Sequence, residues 1–202
     1  MESNALYKLT YGLFLLTANE NGFDNGCIIN TAIQVANAPT RLAISVTKSN
    51  KTHDMIMATK QFNLSALSTD ATFSLFQNFG MQSGHTTNKF TGFNDVKRSE
   101  NGLLYLTKYS NAFLSLKVTE SHDLGSHTLF IAELTDSDVL SSANSCSYEY
   151  YQSSIKQTAP SSDTKKGFVC KICGHIYEGD ELPADYICPL CKHGAEDFEA
   201  LQ

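Results

Sequence analysis

Hydrophobic and polar residues alternate with the period of a β-strand along much of the first 156 residues. In residues 41–47, Leu42, Ile44 and Val46 alternate with small or polar residues, as expected for a strand with one buried face. Other short apolar segments end at turn signals rich in Asn and Gly and predict further strands. These segments are residues 12–18, 27–36, 62–67, 103–106, 112–118 and 128–134. Strands at this spacing favour a mainly β barrel or sandwich.

Two segments have the period of a helix instead. One begins at Thr52, directly after a predicted strand. The other covers residues 71–79, where Asp70 is a candidate N-cap and phenylalanine recurs at helical spacing. We interpret this aromatic stripe as core packing, and its members are Phe73, Phe76 and Phe79.

A polar segment divides the chain into two parts. Residues 157–166 have no apolar periodicity and are rich in Ser, Thr and Lys, which predicts a flexible linker. We therefore expect a β-rich domain over residues 1–156 and a small domain over residues 167–202.

The small domain is acidic. From residue 168 onward there are seven acidic residues and two lysines, a net charge of −5. That surface either steers docking to a basic partner or only keeps the domain soluble.

Composition narrows the classes of function. The net charge of −6 over 202 residues argues against nucleic acid as the main partner. The mean hydropathy is −0.21, and no run of about 18 apolar residues exists, so we expect no membrane span and no membrane partner. Residues 1–4 are polar and acidic and lack the basic-then-apolar pattern of a secretory signal, so we expect a cytoplasmic location.

Four of the six cysteines form two Cys-x-x-Cys pairs separated by 14 residues. Each pair can place two sulfurs on one ion, and two facing pairs complete a tetrahedral thiolate shell. A thioredoxin-like dithiol would need one pair in a βαβ setting, which is absent. Thiolate geometry alone leaves iron and zinc both open. The predicted metal ligands are Cys170, Cys173, Cys188 and Cys191.

The residues around these cysteines resemble the rubredoxin pattern. The resemblance covers residues 168–179, 188–191 and 197–199, and the middle is short, as in the compact rubrerythrin-type version. His175 stands where an aromatic Tyr is usual. The resemblance implies a one-iron centre, and a structural zinc ribbon is the alternative.

Five segments of the first domain resemble, in order, the flavin reductase family with the FMN-binding split-barrel fold. They are residues 7–31, 45–52, 79–84, 88–90 and 125–131. The resemblance implies a Greek-key split β-barrel with short helices, bound FMN, NAD(P)H as electron donor and a homodimer. With the cysteine-rich domain attached, the whole chain resembles the high-molecular-weight rubredoxins, in which a flavin reductase is fused to a one-electron carrier.

The resemblance also implies site residues. A flavin phosphate needs hydroxyls, backbone N–H groups and a cation at a helix start, which residues 48–52 offer, and the ring needs close backbone approach, which Gly26 permits. The residues implied for FMN are Gly26, Cys27, Ile28, Ile29, Asn30, Thr31, Ser45, Lys48, Asn50, Lys51, Thr52, Ser83, Gly84, Lys89 and Phe90. His127 matches the family histidine near the nicotinamide, although Ser126 replaces an acidic residue common before it. We expect Cys27 to be a buried thiol, and His53, His85, His122 and His193 to be surface residues.

The implied electron path runs from NAD(P)H to FMN, then to the iron, and then to an external protein acceptor such as a flavodiiron protein. Two alternatives remain open. In one, the chain is a flavin reductase that releases reduced flavin and carries a structural zinc ribbon. In the other, the first domain stores or senses FMN without reductase activity.

Overall fold

Nine antiparallel strands build the first domain of the computed structural model, which describes residues 8–156, 167–171, 175–188 and 193–200. The strands are β1 (Phe14–Glu20), β2 (Phe23–Ile29), β3 (Ala32–Asn37), β4 (Thr40–Thr47), β5 (Gln61–Leu67), β6 (Val96–Arg98), β7 (Leu104–Leu106), β8 (Ser110–Asp123) and β9 (His127–Val139). Strands β6 and β7 pair with each other, and the other seven form one sheet in the order β2-β1-β5-β8-β9-β4-β3. The prediction of a mainly β fold is confirmed.

The two edges of this sheet belong to strands that follow each other in the chain. Only Asn30 and Thr31 join the end of β2 to the start of β3. Because consecutive Cα atoms are 3.8 Å apart, Ile29 and Ala32 lie within about 11 Å of each other. The sheet must therefore curl into a barrel that is split between β2 and β3. The prediction of one strand over residues 27–36 is wrong, because the chain turns at Asn30 from one edge of the split to the other.

Strand β1 is buried on both faces, which explains its continuous apolar sequence. Leu16 and Ala18 belong to the core cluster inside the barrel, together with Phe62 and Phe130. Leu15 belongs to a second cluster on the outside of the sheet. The barrel core therefore lies between β1 and the strands opposite it, and a helical layer covers the outer face.

The helices differ slightly from their predicted bounds. They are α1 (Lys51–Thr59), α2 (Phe73–Gly80) and α3 (Tyr148–Tyr150), and α3 continues as a π-helical turn over Tyr151–Ile155. Asp70 does not cap α2, whose N-cap is Thr72, because a turn closed by the Ala71 N–H and the Ser68 carbonyl at 3.0 Å precedes the helix. The predicted core role of the aromatic stripe is confirmed, since Phe76 and Phe79 are buried and Phe73 packs against their cluster.

The C-terminal domain is a small three-stranded sheet. Its strands are β10 (Phe168–Cys170), β11 (Ile176–Tyr177) and β12 (Phe198–Ala200), in the order β11-β10-β12, and a 3-10 turn over Ala195–Asp197 precedes β12. The predicted linker, residues 157–166, lies outside the described residues. Within the described ranges, no helix is long and apolar enough to cross a membrane.

Candidate functional site

A cleft of about 270 Å³ opens at the split of the barrel, beside the link between β2 and β3. The structure brings seven of the predicted site residues together in its wall: Ile28, Ile29, Asn30, Thr31, Ser45, Asn50 and His127. Three further lining residues, Thr47, Leu124 and Ser126, were missed by sequence reasoning. Thr47 could have been found, because it shares the face of Ser45 in the strict alternation of β4.

His127 is held at both ring nitrogens. Its Nε2 lies 2.9 Å from the Thr47 hydroxyl, and its Nδ1 lies 2.8 Å from the Ser126 hydroxyl. Thr47 and His127 are directly opposite each other in the antiparallel pairing of β4 and β9. The sheet register therefore fixes the imidazole at the cleft wall, and each hydroxyl can donate or accept, so both neutral tautomers are compatible with this arrangement.

The turn between the two barrel edges is tied to β4. The Thr31 hydroxyl donates to the Ser45 carbonyl at 2.8 Å, and the Ser45 N–H reaches the Thr31 carbonyl at 3.3 Å. These bonds hold the backbone of Asn30 and Thr31 at the cleft. A planar ring could lie against this polar backbone and the apolar side chains of Ile28 and Leu124.

The N-terminus of α1 reaches the same cleft through Asn50. Asn50 is the N-cap residue, but its side chain makes no capping hydrogen bond. The first N–H groups of a helix carry a partial positive charge that favours phosphate. Asn50 and the start of α1 therefore offer donors for an anion.

The other three residues implied for the phosphate, Lys48, Lys51 and Thr52, are not among the residues that line the cleft. The Lys48 ammonium pairs with Asp123 at 2.6 Å, and Lys51 pairs with Glu20 at 3.8 Å. The Lys48 ammonium and the Gly125 N–H together lower the pKa of Asp123. The Thr52 side chain is fully buried.

A buried polar cluster lies behind β2, away from the cleft lining. The Lys89 ammonium donates to the carbonyls of Gly26 and Phe79 at 2.9 and 3.0 Å. Burial lowers the pKa of Lys89 and raises the pKa of the neighbouring Cys27 thiol. Cys27 is 3% exposed, which confirms the expectation of a buried thiol.

Asn25 and Thr52 complete this cluster. The Asn25 amide donates to the Thr52 hydroxyl at 3.2 Å, whereas the Asn25 Oδ1 is buried without a hydrogen-bond partner. Gly84 is packed so closely against Asn25 that an added Cβ would lie 2.2 Å from its amide nitrogen. Gly84 is thus needed for the 81–90 loop to lie against the barrel.

The remaining loop residues are divided between surface and core. Ser83 is exposed, and its hydroxyl accepts from the His85 N–H at 3.3 Å. The Phe90 ring packs against Phe79 at 5.1 Å between centroids. Lys89 and Phe90 therefore anchor this loop to α2 and β2 rather than line the cleft.

His53 is not a surface residue, so that prediction is wrong. Its Nε2 lies 2.8 Å from the Thr128 hydroxyl, and its ring lies 5.8 Å from that of Phe130. The reason is its position in α1, whose inward face covers the barrel core with Met55 and Ile56.

The cysteines of the C-terminal domain occupy equivalent positions. Cys170 and Cys188 are both buried in one apolar cluster with Phe198. Each donates its backbone N–H to the carbonyl five residues later, Cys170 to His175 and Cys188 to His193, at 2.8 Å in both cases. This repeat is the one expected when two Cys-x-x-Cys turns face one ion. The other two predicted ligands, Cys173 and Cys191, lie outside the described residues.

The residues at both sites fit the implied groups. The cleft offers an apolar wall, backbone polar groups and hydroxyls for a flavin ring, and the uncapped start of α1 offers donors for its phosphate. The C-terminal domain buries two equivalent thiols, which suit a soft-ligand metal such as iron or zinc.

Comparison with known proteins agrees with both assignments. Residues 6–159 match the model of the flavin reductase like domain, and residues 168–199 match that of the rubrerythrin, rubredoxin-like domain. The chain is similar to a high molecular weight rubredoxin of Moorella thermoacetica, with 33% identity and complete coverage of both proteins. It is also similar to a ferric-chelate reductase (NAD(P)H) of Archaeoglobus fulgidus, with 31% identity over 81% of this chain and 96% of the relative.

A solved structure also supports the flavin reductase assignment of the first domain. The flavin reductase PheA2 in its native state superimposes with a TM-score of 0.58 and 28% identity, covering 71% of this chain and 90% of that one. Together with the split barrel and the paired cysteines, these matches show that the chain belongs to the flavin reductase family, as an oxidoreductase with a rubredoxin-like domain at its C-terminal end.

Proposed function

We propose that this oxidoreductase takes electrons from NAD(P)H through FMN and delivers them to an iron held by Cys170, Cys173, Cys188 and Cys191. The equivalent, buried settings of Cys170 and Cys188 carry this proposal, because a thiolate centre in the same chain gives the reductase a built-in electron acceptor. The family relationship and the ferric-chelate reductase (NAD(P)H) relative support the nicotinamide donor.

The cleft residues would bind and orient the flavin. Asn30 and Thr31 would face its polar ring edge, Ile28 its apolar face, and Asn50 with the start of α1 its phosphate. Bound FMN supplies the conversion of a two-electron hydride donor into single electrons. His127, held by Thr47 and Ser126, would contact the nicotinamide.

We also propose that the chain acts as a homodimer. The cleft volume of about 270 Å³ lies just below the range of about 300–1,000 Å³ that is usual for ligand sites, so a second copy would complete the wall around FMN. Strand β3, at one edge of the split, leaves Ile33 66% exposed and Val35 48% exposed, and such side chains favour burial in an interface. Light scattering of the purified chain would test this, and a monomer with bound FMN would contradict it.

The external acceptor would be a protein, and a flavodiiron protein suits a one-electron carrier of this kind. The relative from Archaeoglobus fulgidus favours a second candidate, in which a ferric chelate takes the electrons. Steady-state reduction of each acceptor by the full chain, compared with a Cys173→Ser variant, separates the two. A protein acceptor needs the thiolate centre, whereas direct chelate reduction by the flavin does not. A cytoplasmic location stays a prediction.

Metal analysis tests the proposal most simply. Iron in about one equivalent per chain, with the visible absorption of a ferric thiolate centre, is the expected result. A colourless chain loaded with zinc would contradict the electron path and favour a reductase with a structural zinc ribbon. Flavin that NADH and NADPH both leave oxidised would favour storage or sensing.

A further inference from the structure

Met81 connects the two domains. It follows the last residue of α2, and its side chain packs against the apolar cluster of the C-terminal domain that contains Cys170, Cys188 and Phe198. The C-terminal domain thus contacts the end of α2 through the cluster that contains its two buried cysteines.

The same end of α2 also borders the cleft. Gly80 lies against Ile28, such that an added Cβ on Gly80 would be 3.4 Å from Ile28 Cγ1. Ile28 in turn lines the cleft. Packed residues therefore continue from the cleft through Ile28, Gly80 and Met81 to the cluster that holds the cysteines.

We propose that Met81 is the positioning residue on which the C-terminal domain docks to receive electrons. This proposal rests on the proposed function and specifies where the electron leaves the first domain. In each docking event, one electron passes from reduced flavin to the ferric centre, which becomes ferrous. Because the four cysteines would hold one iron, the external acceptor must reoxidise it before the second transfer. Two such transfers then return the flavin to its oxidised form after one hydride, and the proton left on the flavin is released to solvent.

A methionine suits this position. Its side chain is flexible and polarizable, so it packs against partners without demanding one geometry. A contact centred on one half-buried side chain is small compared with a stable interface, which favours reversible docking. Because both domains are in one chain, the effective concentration would still make docking frequent.

Methyl NMR of the full chain tests the contact independently of electron transfer. The chain has four methionines, and Met55 in the barrel core and Met57 on the exposed side of α1 serve as internal controls. With [methyl-¹³C]methionine, we expect the Met81 signal to be lost in the iron-loaded chain and to return in the zinc-loaded chain. The Met55 and Met57 signals should be present in both. A Met81 signal that is equally sharp with both metals would overturn the proposal.

Single-turnover kinetics test the role of Met81 in electron transfer to the iron. After reduction by NADH, the loss of ferric absorption should be at least tenfold slower in Met81→Asp than in the wild type. Met81→Leu should keep the wild-type rate, and so should Met57→Asp, which places the same charge on the exposed side of α1. Flavin bleaching should be unchanged in all three. Equal iron bleaching in Met81→Asp and wild type would overturn the docking role alone. Wild-type flavin that bleaches without reducing iron would overturn the proposed function instead.

Discussion

The Thr47 hydroxyl lies 2.9 Å from Nε2 of His127, joining the last residue of β4 to the first residue of β9. The two residues are 80 positions apart in the chain, and only the register of the sheet brings them together. The Ser126 hydroxyl holds the other ring nitrogen, so His127 is fixed from both sides at the cleft wall. This arrangement gives the proposed nicotinamide contact a defined orientation.

Thr47→Val should therefore weaken nicotinamide use without disturbing the fold. The valine keeps the shape of the side chain and removes one hydrogen bond, which costs about 1 kcal/mol, or about fivefold in kcat/KM for NADH. Thr47→Ser retains the hydroxyl and should keep most of the activity. Steady-state kinetics with NADH and NADPH measure the effect, and equal values for the valine and serine variants would argue against the role of this hydrogen bond.

Lys89→Ala should destabilise the first domain. Removing the ammonium leaves the buried carbonyls of Gly26 and Phe79 without their donor, which should lower the free energy of unfolding by about 3 kcal/mol. Lys97→Ala, in an exposed position of β6, removes the same charge and should change stability by less than about 0.5 kcal/mol. Urea denaturation of both variants checks the difference, and similar losses would mean that charge rather than the two buried bonds is responsible.

Gly84→Ala should weaken FMN binding. The added Cβ would overlap with the Asn25 side chain, so the 81–90 loop would have to move away from the barrel. We expect the Kd for FMN to rise about tenfold, which corresponds to about 1.4 kcal/mol. Thr91→Ala, at an exposed position just beyond the loop and outside the residues implied for FMN, serves as the control. Fluorescence titration of the flavin-free chain measures both, and unchanged affinity in Gly84→Ala would show that loop packing does not reach the cofactor.

Alkaline stability should depend on Cys146. Burial raises the pKa of its thiol from 9.0 to about 11, so the folded state keeps the proton over a range in which the unfolded chain loses it. The unfolded state then binds fewer protons, and the free energy of unfolding falls as pH rises from about 9 to about 11. Cys146→Ala should make this decline shallower. Urea denaturation across that range measures it, and identical slopes in variant and wild type would contradict the assignment.

The sequence predicts those features that depend on local pattern. The alternation of Leu42, Ile44 and Val46 predicts β4, and the spacing of Phe76 and Phe79 predicts the buried face of α2. The two cysteine pairs predict a metal domain for the same reason, since each pair is a local unit.

Local sequence pattern does not predict features that depend on contacts between distant segments of the chain. The apolar residues on both sides of Asn30 read as one strand, because the turn between the barrel edges needs no Gly or Pro. His53 looked polar and exposed, but α1 directs it to Thr128, 75 residues later. The alternation of β4 places Thr47 on the same face as Ser45, but its contact with His127, which gives it a role, is made by another strand and could not be predicted.

Anaerobic stopped-flow mixing of the iron-loaded full chain with NADH or NADPH tests the central claim most directly. The flavin and the ferric centre absorb differently, so both can be followed in one reaction. The proposed function predicts that the flavin is reduced first and that the iron follows within the same chain, at a rate independent of protein concentration. Iron that stays ferric after the flavin has been fully reduced, or whose reduction rate rises in proportion to protein concentration, would contradict it.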